Sequence, residues 1–457
     1  MRRFLRAASI AILLMLSWLG RYPAGAAGSN RVVLVTIDGL AAYYLQDPRA
    51  ELPTLHRLVA EGAVADGLRV SNPSTTWANH TTLVTGVHPD KHSVLFNGLL
   101  VREGPGQPLR IEADRDQAEL VAVPTVYDLL HRAGYRTAAI NWPCTRGATT
   151  LDDNFPDVPG RISHTTPRLR AELVRDGILD RSGDAGFMTQ TPAAADVIWT
   201  SAALHLLRVR PPNLLLLHLL ATDAAQHRHG PQSPAAYAAL AAADAQLARL
   251  LRALAAPEAR ERTTLIVTSD HGFARPTKLL RPNVVLRKAG LLRPGPHRRA
   301  QSISAGGTAF VYLTHPTTAR EDRAKIMELL RGLEGVAEIL GPQQFAALHL
   351  PNPAKNLRMA DLLLVAKEDY TFADEYLEDE VVTPIPMALG SHGYLSRDPR
   401  MNGVLVAWGR GVKPGTRLGW VDNIDVAPTL AAFLGESLPG CEGTVIAPIA
   451  SGLEPAR

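Results

Sequence analysis

Cysteine is nearly absent from this sequence. The 457 residues hold two, Cys144 and Cys441, without the CxxC spacing of a thiolate metal site. They stand far apart in the chain, and the sequence leaves open a disulfide or two separate thiols. Aromatic residues are few, at 5%, and no fixed-period repeat is present. The one biased tract is Ala-rich, from Ala235 to Ala256. An excess of charge of one sign is also missing from most of the chain. The formal net charge of +4 is matched by Arg2, Arg3, Arg6 and Arg21, in a leading stretch that contains no acid. The rest is neutral overall, so charge gives no support to a specific nucleic-acid partner. The apolar run Ala7–Gly20 is shorter than the roughly 20 residues that span a bilayer.

What is there is a globular composition, 46% hydrophobic and 20% charged. It suits one large domain with an elaboration, or two domains. Residues 1–27 combine a basic start, the apolar run and a small-residue site at Ala24-Gly25-Ala26. That is the pattern of a secretory signal peptide. It predicts a periplasmic or secreted mature protein, residues 28–457, with no stable membrane insertion after cleavage. An uncleaved membrane anchor is the alternative. No Cys follows the apolar run, which argues against a lipoprotein.

Apolar strands alternate with helical segments along the mature chain. Arg31–Ile37, Leu214–Leu220 and Thr263–Thr268 read as buried strands, each followed by polar residues. Pro53, Ser233 and Pro282 open helices, and Gly134 and Gly290 close two. This order predicts an α/β fold with a largely parallel sheet, in which ligands bind beyond the carboxyl ends of the strands. Residues 145–190 read as irregular, a loop or small cap on the substrate side. Residues 315–386 read as a smaller α+β insertion.

Several chemistry-bearing residues sit at strand tips. Thr76 follows a strand and a tight turn and stands just before a helix, where unpaired backbone N–H groups attract anions. Ser74 and Thr75 share that turn, and all three hydroxyls can serve as caps. Asp223 and His227 are four apart, so one helical turn puts both on one face, suited to gripping a metal. A capping Asp and a surface His explain the pair equally simply. Asp270-His271 delivers two donors at one strand end, and Asp38 ends the first strand. His392 stands between Ser391 and Gly393 in Gly390-Ser391-His392-Gly393-Tyr394, and Asn97 precedes Gly98; each alone reads as a loop residue. Together the carboxylates and imidazoles suit Zn²⁺, with Mn²⁺ or Fe as alternatives. Two such ions roughly 4 Å apart clamp the attacking and leaving oxygens of a phosphoryl displacement.

The ordered set Asp38, Thr76, Asn97, Asp223/His227, Asp270-His271 and His392 resembles the alkaline phosphatase superfamily. Within it, Thr75-Thr76-Trp77-Ala78-Asn79-His80 and Ser269-Asp270-His271-Gly272 are similar to motifs of the nucleotide pyrophosphatase/phosphodiesterase group. The resemblance implies a three-layer α/β/α sandwich and two zinc ions. One would be held by Asp38, Thr76, Asp270 and His271, the other by Asp223, His227 and His392. It implies a covalent phosphothreonine at Thr76, with Asn97 and the Trp77 backbone N–H on the non-bridging phosphoryl oxygen. The expected partner is a small phosphorylated substrate, with cleavage of phosphodiester or pyrophosphate bonds. Trp77-Ala78 departs from the group's usual Phe-Pro. A phosphomonoesterase or phosphonoacetate hydrolase of the same superfamily is the alternative, and a non-catalytic metal-binding scaffold is another. A monoesterase needs an extra cation near Thr76, for which Arg69 and Arg102 are the nearest in sequence. No Cys-x-Pro-Ser-Arg motif is present, which argues against a sulfatase.

Overall fold

The computed structural model describes residues 30–387 and 389–450, so the proposed signal segment lies outside the described residues. Its centre is an eight-stranded sheet. In chain order the strands are β1 (Arg31–Ile37), β2 (Ala63–Val64), β3 (Thr137–Pro143), β4 (Asp153–Asp157), β5 (Leu214–Leu219), β6 (Thr263–Thr268), β7 (Leu405–Gly409) and β8 (Thr416–Arg417). Across the sheet they run β8-β2-β7-β6-β1-β5-β3-β4. The five from β6 to β4 are parallel, and β7 is antiparallel to both β6 and β2. β1 is central because Val32–Ile37 is wholly buried, with apolar side chains on both faces.

The side-chain alternation of β1 separates two helical layers. Val33, Val35 and Ile37 pack with Trp199, Leu206, Leu240 and Leu247 of the helices Pro192–Val209 and Pro234–Leu254. Val32 and Leu34 face the other way, against Leu83 and Val84 of Thr76–Thr85 and Leu430 of Val426–Phe433. Each such fully buried side chain contributes about 1.5–3 kcal/mol relative to leaving it in water. The fold is therefore the three-layer α/β/α sandwich expected.

Two stretches differ from the sequence reading. Residues 145–190 are not irregular: they supply the edge strand β4 and the helices Pro167–Arg175 and Asp184–Phe187. The strand sequence Asp-Asn-Phe-Pro-Asp is poor in β-formers, and only an edge tolerates its proline. Arg210 fastens this layer, bonding Asp153 and Glu172 at 2.8–3.0 Å. The second unit also starts earlier than residue 315. Its four-stranded antiparallel sheet, in the order Ala300–Ser304, Thr308–Leu313, Leu362–Ala366, Val336–Leu340, draws in residues 300–313. Thr-Ala-Phe-Val-Tyr-Leu is as apolar as a central strand, but both its partners are antiparallel strands of the second unit.

Candidate active site

β1 and β5 pair in register from Val32↔Leu214 to Ile37↔Leu219, so the chain leaves both at one level. Asp38 follows β1, Asp270-His271 follows β6, and Asp223 lies in the first turn of the helix Ala221–His229 after β5. Thr76 opens the helix Thr76–Thr85, all ten residues of which are buried. That helix carries little amphipathic pattern because it has core on every side. Its threonines satisfy themselves locally: the Thr81 and Thr85 hydroxyls donate to the carbonyls four residues back at 2.8 Å. Asn79 braces the preceding turn. Its Oδ1 accepts from the Ser71 N–H at 2.8 Å, and its Nδ2 donates to Pro73 and Thr75 carbonyls.

The predicted metal ligands gather into two groups, Asp38–Asp270–His271 and Asp223–His227–His392, with donor atoms within 4.8 Å of one another in each. In the first, His271 Nε2 lies 3.3 Å from Asp38 Oδ1, 3.2 Å from Asp270 Oδ2 and 3.3 Å from the Thr76 hydroxyl. His271 donates its Nδ1–H to the Gly272 carbonyl at 3.1 Å, which leaves Nε2 with a free lone pair. In the second, His227 and His392 donate Nδ1–H to the Gly390 and Ser74 carbonyls. Their two Nε2 atoms then face each other at 3.2 Å, lone pair to lone pair.

These residues fit divalent cations. Asp38 Oδ1, Asp270 Oδ2 and Asp223 Oδ1 are buried without a hydrogen-bond partner, and all three belong to the two groups. Such orphaned oxygens cost free energy unless a cation meets them. Burial, with Asp270 and Asp223 nearby, raises the Asp38 carboxyl well above the usual range. Burial likewise lifts Asp270 to about 6. For Asp223 burial opposes the charge, yet His227, His392 and His271 carry it down to about 2. Burial lowers His271 to about 4, and burial and the neighbouring imidazoles hold His392 well below its usual value. Both are thus neutral imidazoles at neutral pH, the form that ligates metal.

Asn97 and Trp77 are together: the Trp77 N–H donates to Asn97 Oδ1 at 3.0 Å. The amide assigned to a phosphoryl oxygen is therefore already engaged in this state. The Trp77 indole is core, packed with Val94, Leu120 and Cys144. Neither candidate cation is free at Thr76. Arg69 pairs with Asp422 at 3.2 Å, and Arg102 stacks over the Tyr312 ring. Cys144 and Cys441 are separate thiols.

The structure adds residues that the motif reading missed. His218, buried in β5, places Nε2 3.0 Å from Asp38 Oδ2. Its Nδ1 meets the Asn141 carbonyl at 3.0 Å, and Asn141 Oδ1 accepts from Arg161 at 3.1 Å. His80 accepts from or donates to Thr36 at 2.8 Å and lies 3.6 Å from Asp270 Oδ2. Asp196 caps the Ala221–His229 helix from outside, accepting from the Leu220 and Ala221 N–H groups. Gln226 donates to the Gly39 carbonyl and accepts from the Tyr44 hydroxyl, both at 2.9 Å. The one available signal for His218 was a lone imidazole inside the run Leu-Leu-Leu-Leu-His-Leu-Leu, a place where it must have a partner.

A largely parallel sheet with paired Asp/His groups and a hydroxyl at its carboxyl edge fits a phosphoric ester hydrolase of the alkaline phosphatase superfamily. Residues 32–395 match the type I phosphodiesterase/nucleotide pyrophosphatase family, and the chain belongs to that family. Bovine bis(5'-adenosyl)-triphosphatase ENPP4 is 24% identical over 440 residues, covering 93% of this chain and 83% of that protein. Rat ectonucleotide pyrophosphatase/phosphodiesterase family member 3 is 24% identical over 243 residues, 53% of this chain and 25% of that protein. In fold, murine ectonucleotide pyrophosphatase/phosphodiesterase 5, solved as an inactive threonine-to-alanine variant with AMP, superposes with a TM-score of 0.70 at 17% identity. That likeness covers 93% of this chain and 100% of the murine one.

Proposed function

We propose that this protein is an exported two-zinc phosphodiesterase acting on phosphodiester or pyrophosphate bonds of small, nucleotide-like substrates, with Thr76 as nucleophile. The convergence of the Thr76 hydroxyl, His271 Nε2 and the unpartnered Asp38 Oδ1 beside a second Asp/His group carries this reading. Asp38, Asp270, His271 and Thr76 would hold one ion, and Asp223, His227 and His392 the other. When bound, the ions lower the pKa of the threonine hydroxyl and offset phosphoryl charge. The helix start at Thr76 aims backbone N–H groups at the phosphoryl group. Asn97 turns its amide from Trp77 N–H to a non-bridging oxygen, which frees that N–H for the same oxygen. The Thr76 oxygen forms a bond to phosphorus as the bond to the leaving oxygen breaks, and water then cleaves the phosphothreonine. The names of the relatives, a dinucleoside triphosphatase and an AMP complex inactivated at a threonine, support the substrate size and the nucleophile.

The purified, zinc-loaded protein should turn over bis(p-nitrophenyl) phosphate in large preference to p-nitrophenyl phosphate. A preference for the monoester overturns the diesterase reading. Thr76→Ala should lower turnover by roughly 10³-fold or more while the protein keeps at least one metal by elemental analysis. An active variant removes Thr76 as nucleophile. Mass spectrometry of protein expressed with its full leader should find the N-terminus near residue 27, and retention of Met1 would refute signal cleavage.

A further inference from the structure

Asn97 closes the segment 93–97, and two different parts of the molecule hold that segment. On one side is the helix that Thr76 opens. Burial brings His92 down to about 3, so its ring is neutral and one nitrogen is free to accept. Its Nδ1 accepts from the Val94 N–H at 3.1 Å, and its Nε2–H therefore donates to the Thr82 hydroxyl of that helix at 3.1 Å. On the other side is the second unit, through its turn at residues 352–359. Asn356 Nδ2 donates to the Ser93 hydroxyl at 2.8 Å, and Arg358 Nη1 donates to the Ser93 carbonyl at 3.1 Å. The same guanidinium donates to the Leu120 and Glu119 carbonyls, at the end of the helix Gln117–Leu120. Leu120 in turn packs with Val94 against Trp77, the residue after the nucleophile. Ser93 has a φ of 67°, a left-handed conformation that a non-glycine residue keeps only with support.

Arg358 is itself held in place. Its N–H donates to Asn356 Oδ1 at 3.0 Å, and its carbonyl accepts from the Tyr312 hydroxyl at 2.9 Å. Met359 and Ala360 are buried in one cluster with Leu95 and Phe96, so the turn and the segment before Asn97 share a core. The half-buried guanidinium makes no ion pair with a carboxylate among the described residues; its donors go to backbone carbonyls of two chain segments. A planar fork can span such a spread of acceptors, which a lysine ammonium cannot. We propose that Arg358 is a positioning residue: from the second unit it fixes the segment 93–97 against the Thr76 helix and so aligns Asn97 with the transferred phosphoryl group. The proposal rests on the role given to Asn97 above. The second unit then acts in catalysis without touching the substrate. A shift of about 1 Å in a substrate-positioning group can cost about 10²-fold in rate, so the brace need move Asn97 only slightly to matter.

The test is a double-mutant cycle on the zinc-loaded full chain, read by kcat/KM for bis(p-nitrophenyl) phosphate and by calorimetric affinity for AMP. Asn97→Ala should lower kcat/KM by about 10²-fold and Arg358→Ala by about tenfold or more, each with the wild-type zinc content. Because Arg358 acts through Asn97, the double variant should be no worse than Asn97→Ala alone, in turnover and in AMP affinity alike. Arg358→Lys should recover part of the loss. Where Arg358→Ala does not fold, Arg358→Gln, which keeps one donor group, takes its place in the cycle. Multiplying losses in the double variant, wild-type kcat/KM in Arg358→Ala, or loss of zinc in step with loss of turnover overturns the proposal and leaves Arg358 a packing residue. Wild-type behaviour of Asn97→Ala in both readouts removes the role of Asn97, and that of Arg358 with it. With bis(p-nitrophenyl) phosphate inert, the diesterase reading fails, and the AMP cycle alone decides for or against the brace.

Discussion

Replacing His218 by Ala isolates the support of one metal group from the other. The imidazole is fully buried and donates Nε2–H to Asp38 Oδ2 at 3.0 Å, while Asn141 holds Nδ1 from behind. With Oδ2 so fixed, Asp38 presents Oδ1 towards His271, where the proposed cation would bind. Deleting the ring removes that brace and leaves Asp38 free to rotate. Losing an outer hydrogen bond to a metal ligand typically weakens metal affinity 10–100-fold, equivalent to about 1.4–2.7 kcal/mol. Asp223, His227 and His392 make no hydrogen bond to His218. Zinc competition against a chromophoric chelator should therefore show one of two sites weakened by that factor and the other within twofold of wild type. His218→Gln, which keeps a side-chain N–H donor, should recover part of the affinity. Equal weakening of both sites, or of neither, would refute the brace and reduce His218 to core packing.

Asp196→Ala should destabilise the protein by about 1–2 kcal/mol, read from urea unfolding, because two helix-start N–H groups lose their acceptor. The same variant should weaken zinc at the Asp223–His227–His392 group more than at the other, and the reverse order would contradict the capping account. For the metal-free protein, Asp38 and Asp270 have raised pKa values, Asp270 at about 6. Their contribution to stability is thus fully present below the ordinary carboxylate range and is lost as pH rises through about 6. Stripping zinc should lower Tm far more at pH 8 than at pH 5, and a pH-independent difference would show that burial does not disfavour the ionised forms of these carboxylates.

Much of the site was legible because parallel strands advertise themselves. Runs such as Val32–Ile37 and Thr263–Thr268 can only be buried, so the polar residues after them had to lie at one edge of the sheet. Asp38, Asp223 and Asp270-His271 followed from that, and Thr76 was distinguished from Ser74 and Thr75 by those distant partners. What was hidden depended on contacts with no local pattern. β4 is a strand because β3 offers an edge, not because Asp-Asn-Phe-Pro-Asp favours one. Thr308–Leu313 looks like a core strand since apolarity does not encode which sheet a strand joins. Asp196 sits in a helix whose relation to the site exists only after folding.

The Gln226 side chain, strung between the Gly39 carbonyl and the Tyr44 hydroxyl, joins the backbone beside Asp38 to the very helix that carries Asp223 and His227. The span between the two ligand groups is thereby written into amide and phenol bonds of the polypeptide. If both groups hold ions, the gap between them would act as a fixed gauge: exchange of one divalent ion for another would alter bond lengths within each group more than the stride between them. On the two-metal proposal, swapping metals should tune rate without resizing the substrates admitted.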